Sequence, residues 1–242
     1  MSSIPMANKP PRAWTVEQHS ELKKIDDNLW GVESYVPGAR IPRRMCIIKR
    51  SDGSLLFFHA IPVDEQILAQ IRALGRPEYL VVGHDQHMMD AHAFQEKLGL
   101  KVYAPKEVEA KAHARAALTG TLESIPSDSS MDIMSVPGTK HGETAIALRS
   151  GTDKHVNLLI SDVLQNTHKE DTALFFRLLG FSSDSPKVVP AFRMLFIKDK
   201  STVKGALMKW AELPNLKRLV PFHGRIVENG AADAIRAAAS KL

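Results

Sequence analysis

The chain has 242 residues, 44% of them hydrophobic and 24% charged, with a formal net charge of +5. That length supplies one sizeable core or at most two small ones, and no apolar run approaches the ~18 residues that a membrane-spanning helix needs. Basic residues are scattered rather than clustered and aromatic residues are only 6%, which argues against nucleic acid as a partner.

Residues 1–20 read as a flexible lead-in and 21–242 as a single domain. The start of the chain is polar and proline-containing, without an apolar secretory segment. A cytoplasmic location is therefore expected, with no membrane partner. Strand character begins with Leu29 to Val36 and returns at Met45 to Arg50 and Leu55 to Phe58; the turn Ser51-Asp52-Gly53-Ser54 makes the last two a β-hairpin. Cys46, the only cysteine, sits in the second of these runs and reads as a small buried hydrophobe. It excludes an internal disulfide, so any metal site must draw on histidines and carboxylates.

Pro62 opens a helical pattern through Val63, Ile67, Ile71 and Leu74, stopped by Gly75 and Pro77. Tyr79 to Val82 is a short buried strand, Ala91 to Leu98 a helix, Lys101 to Ala104 a strand, and Pro105 to Ala117 a further helix. Strands follow at Asp132 to Val136, Thr144 to Leu148 and Val156 to Ile160, with a turn at Gly151-Thr152-Asp153. Helical patterns occupy about 170–179, 190–197 and 201–212. Arg218 to Val220 is a last strand, followed by an alanine-rich helix from Asn229. Ser182 to Pro186 is the most loop-like internal segment. This mixture of strands and helices defines an α/β domain.

The densest chemistry is Gly83-His84-Asp85-Gln86-His87-Met88-Met89-Asp90-Ala91-His92, directly after a buried strand. Imidazole and carboxylate are zinc ligands. Three later segments repeat the habit of a histidine or aspartate close behind an apolar strand: His141 after Val136-Pro137-Gly138, Asp162 after Leu158-Leu159-Ile160, and His223-Gly224 after Leu219-Val220. Loops at strand ends are where such folds carry function. Each residue also has a plain structural reading. His84 and His87 could be solvated loop histidines, Asp90 a helix cap or first-turn acid, His92 a helix-surface residue and His141 a turn residue. Asp162 could be capping or salt-bridged, and His223 packed at a strand end. His155 reads as a strand-edge residue, and His19, His113 and His168 as surface.

The order of these motifs resembles the metallo-β-lactamase fold superfamily, and Arg44-Met45, Asp52-Gly53-Ser54-Leu55, Ala73-Leu74-Gly75 and Val220-Pro221-Phe222-His223-Gly224 resemble a divergent branch of it. The resemblance spans roughly residues 25–242 and implies a four-layer αββα sandwich. It implies metal ligands at His84, His87, Asp90, His92, His141, Asp162 and His223, with Asp162 bridging two metals and Asp90 orienting the water. The implied cofactor is one or two divalent ions, zinc first, with iron or manganese as the other candidates. The implied activity is hydrolysis of a small-molecule ester, thioester, lactone, amide or phosphodiester by metal-bound hydroxide. The alternative is a catalytically degenerate member that binds a ligand or partner without turnover. Two departures from the family pattern bear on that choice. His59 stands where the family has an aspartate, and the leading motif is stretched to His-x-x-His-x-x-Asp-x-His. The loops around Ser182 to Pro190 and Pro37 to Pro42 are expected to shape the pocket.

Overall fold

The computed structural model describes residues 12–84, 87–108, 116–178 and 180–242. His113, the start of the lead-in (1–11) and the middle of the helix expected from Pro105 to Ala117 lie outside these residues. A first sheet holds β1 (Lys23–Asp26), β2 (Leu29–Tyr35), β3 (Pro42–Lys49), β4 (Ser54–Phe58), β5 (Arg76–Val81), β6 (Lys101–Ala104) and β7 (Leu118–Thr121), side by side in chain order. A second sheet holds β8 (Met131–Ser135), β9 (Thr144–Ser150), β10 (His155–Ile160) and β11 (Leu216–Pro221), in the order β11-β10-β9-β8. The helices are α1 (Glu65–Leu74), α2 (Ala91–Leu98), α3 (Leu174–Leu178), α4 (Pro190–Phe196), α5 (Lys200–Ala211) and α6 (Ala231–Ser240).

Strand alternation builds the layers. In β3 and β4, Met45, Ile47, Leu55 and Phe57 face a core shared with Ile67, Leu68 and Ile71 of α1 and Phe94 of α2. Their neighbours Cys46, Ile48, Leu56 and Phe58 face the other way, where they meet Ile146, Leu148, Leu159 and Val220 of the second sheet. The outer face of that second sheet, with Ala145, Leu158, Ile160 and Leu219, packs on α4, α5 and α6 through Phe192, Val203, Leu207 and Ile235. Strands buried on both faces read as continuous apolar runs, and that is how the central strands appear in the sequence. The result is an αββα sandwich, as expected. No helix among the described residues is long and apolar enough to cross a membrane.

Local chemistry sets the helix ends. Asp64 caps α1 by accepting from the Ile67 amide at 2.8 Å, and Asp199 caps α5 by accepting from the Ser201 and Thr202 amides. Gly99 closes α2 in the left-handed region with φ 67.

Several expectations are corrected. Residues 12–20 are not a loose lead-in: Trp14 donates from Nε1 to the Val63 carbonyl at 3.1 Å and stacks on Phe94 at 4.8 Å, and Ser34 Oγ donates to the Gln18 carbonyl at 2.7 Å. Of the segment from Pro105 to Ala117, the described part includes a 3-10 turn, Lys106–Val108, and Leu118 opens β7; the middle of the expected helix lies outside the described residues. The helix expected near 170–179 is a 3-10 turn, Lys169–Asp171, followed by the short α3. β1 and β7 carry no apolar alternation, so their formation rests on backbone pairing with β2 and β6.

Candidate metal centre

β4 and β5 run parallel, as do β10 and β11, while β9 runs antiparallel to β10. The ends of β4, β5, β10 and β11 and the start of β9 therefore meet at one edge of the sandwich. His59, His84, Asp162, His223 and Glu143 stand at those ends. Backbone bonds knit the edge together: Phe222 N to the Ile160 carbonyl at 2.9 Å, Ser161 N to the Thr144 carbonyl at 3.1 Å and His59 N to the Val81 carbonyl at 2.9 Å. Arg44 joins the two sheets here, its amide donating to the Phe222 carbonyl at 2.9 Å and its Nη1 to the Pro221 carbonyl at 2.5 Å.

Asp162 lies at the centre. His87 Nε2 is 3.2 Å from its Oδ2, and His223 Nε2 is 3.3 Å from its Oδ1. Its backbone amide donates to Glu143 Oε2 at 2.8 Å, and Glu143 Oε1 lies 3.4 Å from His84 Nε2. Two groups follow, each with ligand atoms within 4.8 Å of one another: His87, Asp162 and His223, and His84, Glu143 and Asp162. Asp162 belongs to both.

The donor set fits a divalent ion. His223 Nδ1 lies 2.6 Å from the Pro42 carbonyl. A carbonyl only accepts, so Nδ1 carries the proton and Nε2 presents its lone pair toward Asp162. Burial pushes the His223 imidazole below its usual range, which favours that neutral ring. Burial alone would raise the Asp162 carboxyl, but His87 and His223 beside it outweigh that and hold it far below the ordinary carboxylate range. The centre thus assembles carboxylate oxygens and imidazole nitrogens, the donors of a divalent-ion site.

Aromatic rings wall it off. Phe222 stacks against His87 and His59, each at 4.1 Å, and Phe196 of α4 meets His84 edge-on at 5.1 Å. His59 is fully enclosed, its Nε2 3.2 Å from Ser161 Oγ, and burial holds its imidazole well below the ordinary value. Gly83 is needed for this closeness, because a Cβ there would run into Ser161 Oγ and the His59 ring.

The structure brings together His84, His87, Asp162 and His223 of the expected residues. It does not bring in Asp90 or His92. Asp90 is wholly buried and turned to Arg43, whose Nη1 donates to its Oδ2 at 2.8 Å; burial, outweighing Arg43, raises its carboxyl. His92 lies one helical turn before Glu96, with Nε2 3.4 Å from that carboxylate. The physical reason is the stretch in the motif, which carries both residues into the start of α2 and away from the edge. His141 stands beside His84 with ring centroids 6.4 Å apart and beside Phe196 at 5.5 Å; among the described residues it joins neither ligand group. Glu143 is absent from the expected ligands. Its signal was a carboxylate directly before a buried strand, a costly position without a partner.

An αββα sandwich with histidines and carboxylates gathered at one edge is the metallo-β-lactamase fold, and the chain has that fold. Solved structures agree over nearly the whole length. The metallo-β-lactamase FIM-1 from Pseudomonas aeruginosa, in its mono-zinc form, is 14% identical with a TM-score of 0.64, covering 95% of this chain and 98% of its own. DIM-1 metallo-β-lactamase exposed to ceftazidime is 15% identical with a TM-score of 0.63, covering 93% and 99%. A metallo-β-lactamase from Pontibacter korlensis is 14% identical with a TM-score of 0.61, covering 92% and 99%. No protein-family model and no curated protein matches the chain.

Proposed function

We propose that the chain is a metal-dependent hydrolase with Asp162 shared between two divalent-ion sites. His87, Asp162 and His223 would hold one ion, and His84, Glu143 and Asp162 the other. The observation that carries this reading is the membership of Asp162 in both ligand groups. Zinc, iron and manganese all suit imidazole and carboxylate donors. When bound, such ions supply a Lewis acid that polarises a carbonyl or phosphoryl group and lowers the pKa of a water.

The chain's own residues supply the rest. Pro42 fixes the tautomer and orientation of His223. Phe222 packs against His87 and Phe196 against His84, which holds both rings in place. Asp90, given a water-orienting role by the resemblance, instead pairs with Arg43. The substrate class is a small ester, thioester, lactone, amide or phosphodiester. The test is turnover of one compound from each class by metal-loaded protein, by chelator-stripped protein and by the variant His223→Ala. Hydrolysis lost on stripping and in the variant supports the reading; hydrolysis that survives both contradicts it.

One observation favours a second reading, a binding protein of the same fold without turnover: the aspartate of the leading motif is committed to Arg43 and lies outside both ligand groups. That reading requires His84→Ala and His223→Ala to leave ligand binding and thermal stability unchanged.

A further inference from the structure

A cavity of about 370 Å³ opens directly on His87, Asp162 and His223. It lies near the lower end of the ~300–1,000 Å³ range of small-molecule sites. Away from the candidate ligands its walls are mostly apolar, including Val36, Ile41, Phe181, Ala191, Leu195 and Phe222. Leu195 is half exposed and lies at the rim.

Among the described residues, one charged side chain outside the ligand groups also reaches this cavity, Arg43. It is only 4% exposed. Its Nη1 is committed to Asp90, while Nε and Nη2 are buried without a hydrogen-bond acceptor among the described residues. Donors left so cost free energy unless something accepts from them. Asp90 already balances the charge of Arg43, so what is missing is an acceptor oxygen rather than a counter-ion.

We propose that this cavity is an acyl site: it takes the apolar chain or ring of a carboxylic-acid derivative, and Arg43 donates from Nε and Nη2 to an oxygen of that molecule. The inference uses the hydrolase reading only to place the reacting bond beside Asp162; the binding itself needs no turnover. Apolar walls reward chain length, and the donors of Arg43, with the Gln165 amide also in the lining, give the polar anchor. The occupant is therefore a medium-length acyl or aryl compound rather than a sugar or a nucleotide.

The test is calorimetric binding of straight-chain acids from acetate to octanoate to the full chain, loaded with zinc. Affinity is expected to rise about fourfold per added methylene until the cavity is full. Ala191→Phe, which fills the cavity from α4, is expected to end that rise at a shorter chain. Leu195→Asp at the rim provides a second variant at a half-exposed position and is expected to weaken the longer acids. Arg43→Lys keeps a cation for Asp90 and is expected to weaken every acid about tenfold or more while leaving the length dependence. Affinity that is flat along the series, or a slope that both cavity variants leave intact, overturns the proposal. A length-dependent affinity with no hydrolysis of the matching esters keeps the acyl site and removes the hydrolase. Ester hydrolysis with no length dependence does the reverse.

Discussion

His223 turns its Nε2 lone pair toward Asp162 Oδ1 across 3.3 Å, while its Nδ1–H is committed to the Pro42 carbonyl. A lone pair facing a carboxylate at that distance is repulsive unless a proton or a metal cation lies between them. His87 meets the other oxygen of Asp162 at 3.2 Å. The structure separates these residues from His92, which pairs with Glu96 on the surface of α2. His92→Ala is therefore predicted to keep the metal content of the wild type, whereas His87→Ala and His84→Ala each lose metal. Elemental analysis of the purified variants checks this, and loss of metal in His92→Ala would restore that residue as a ligand.

Asp90 serves the fold through Arg43. Both side chains are buried and paired at 2.8 Å, with Arg12 Nη1 a further 3.6 Å from Asp90 Oδ1. Removing one partner strands a buried charge, which costs about 3–5 kcal/mol. Asp90→Asn is predicted to lower the urea midpoint accordingly while the folded fraction still takes up metal. A variant as stable as the wild type but metal-free would instead make Asp90 a ligand.

Gly83 is set by space rather than by conformation. A side chain there would meet Ser161 Oγ and His59, and the residue immediately precedes His84. Gly83→Ala is predicted to destabilise the protein by about 1–3 kcal/mol, the usual cost of overpacking, and to weaken metal binding with it. Relief of both effects by Ser161→Gly would identify the clash as the cause.

The sandwich was legible because its central strands are buried on both faces and so appear as unbroken apolar runs, as in Met45-Cys46-Ile47-Ile48 and Leu55-Leu56-Phe57-Phe58. The edge strands were not, since Lys23 and Lys24 in β1 and Thr119-Gly120-Thr121 in β7 hold their places through main-chain pairing that no side-chain pattern advertises. In the centre, residues at strand ends are readable: His84, Asp162 and His223 each follow a buried strand by two or three positions. Asp90 was misleading because its partner, Arg43, is distant in sequence. Glu143 was hidden for the opposite reason. It precedes its strand, and only the antiparallel pairing of β9 with β10 brings it beside Asp162.

At the opposite edge a polar cluster predicts the pH dependence of stability. His155 Nε2 is 2.6 Å and Arg218 Nη1 2.5 Å from Asp26 Oδ2. Burial pushes the Asp26 carboxyl up, but hydrogen bonds from His155 and Asn157 outweigh it and hold it at about 2, against an ordinary 3.8. Burial pushes His155 down, but Asp26 and Asp153 outweigh that and raise it above its ordinary 6.5. A lowered acid stabilises above its unfolded value, so the Asp26 contribution is lost as pH falls from about 4 toward 2. A raised histidine stabilises below its unfolded value, so the His155 contribution is lost as pH rises from about 6.5 through its folded value. Urea midpoints across pH are predicted to fall in both windows. Asp26→Asn should flatten the acid arm and His155→Gln the other; an unchanged profile in both would remove this cluster from the account.

The sharing of Asp162 between two ligand groups is the central claim, and metal titration into chelator-stripped protein tests it most directly. Zinc, manganese and ferrous ion would be titrated calorimetrically into the wild type and into Asp162→Ala, with folding of both verified by circular dichroism. Saturable uptake by the wild type and its loss in the folded variant, at both groups together, are predicted. No uptake by the wild type, or equal uptake by Asp162→Ala, would contradict it.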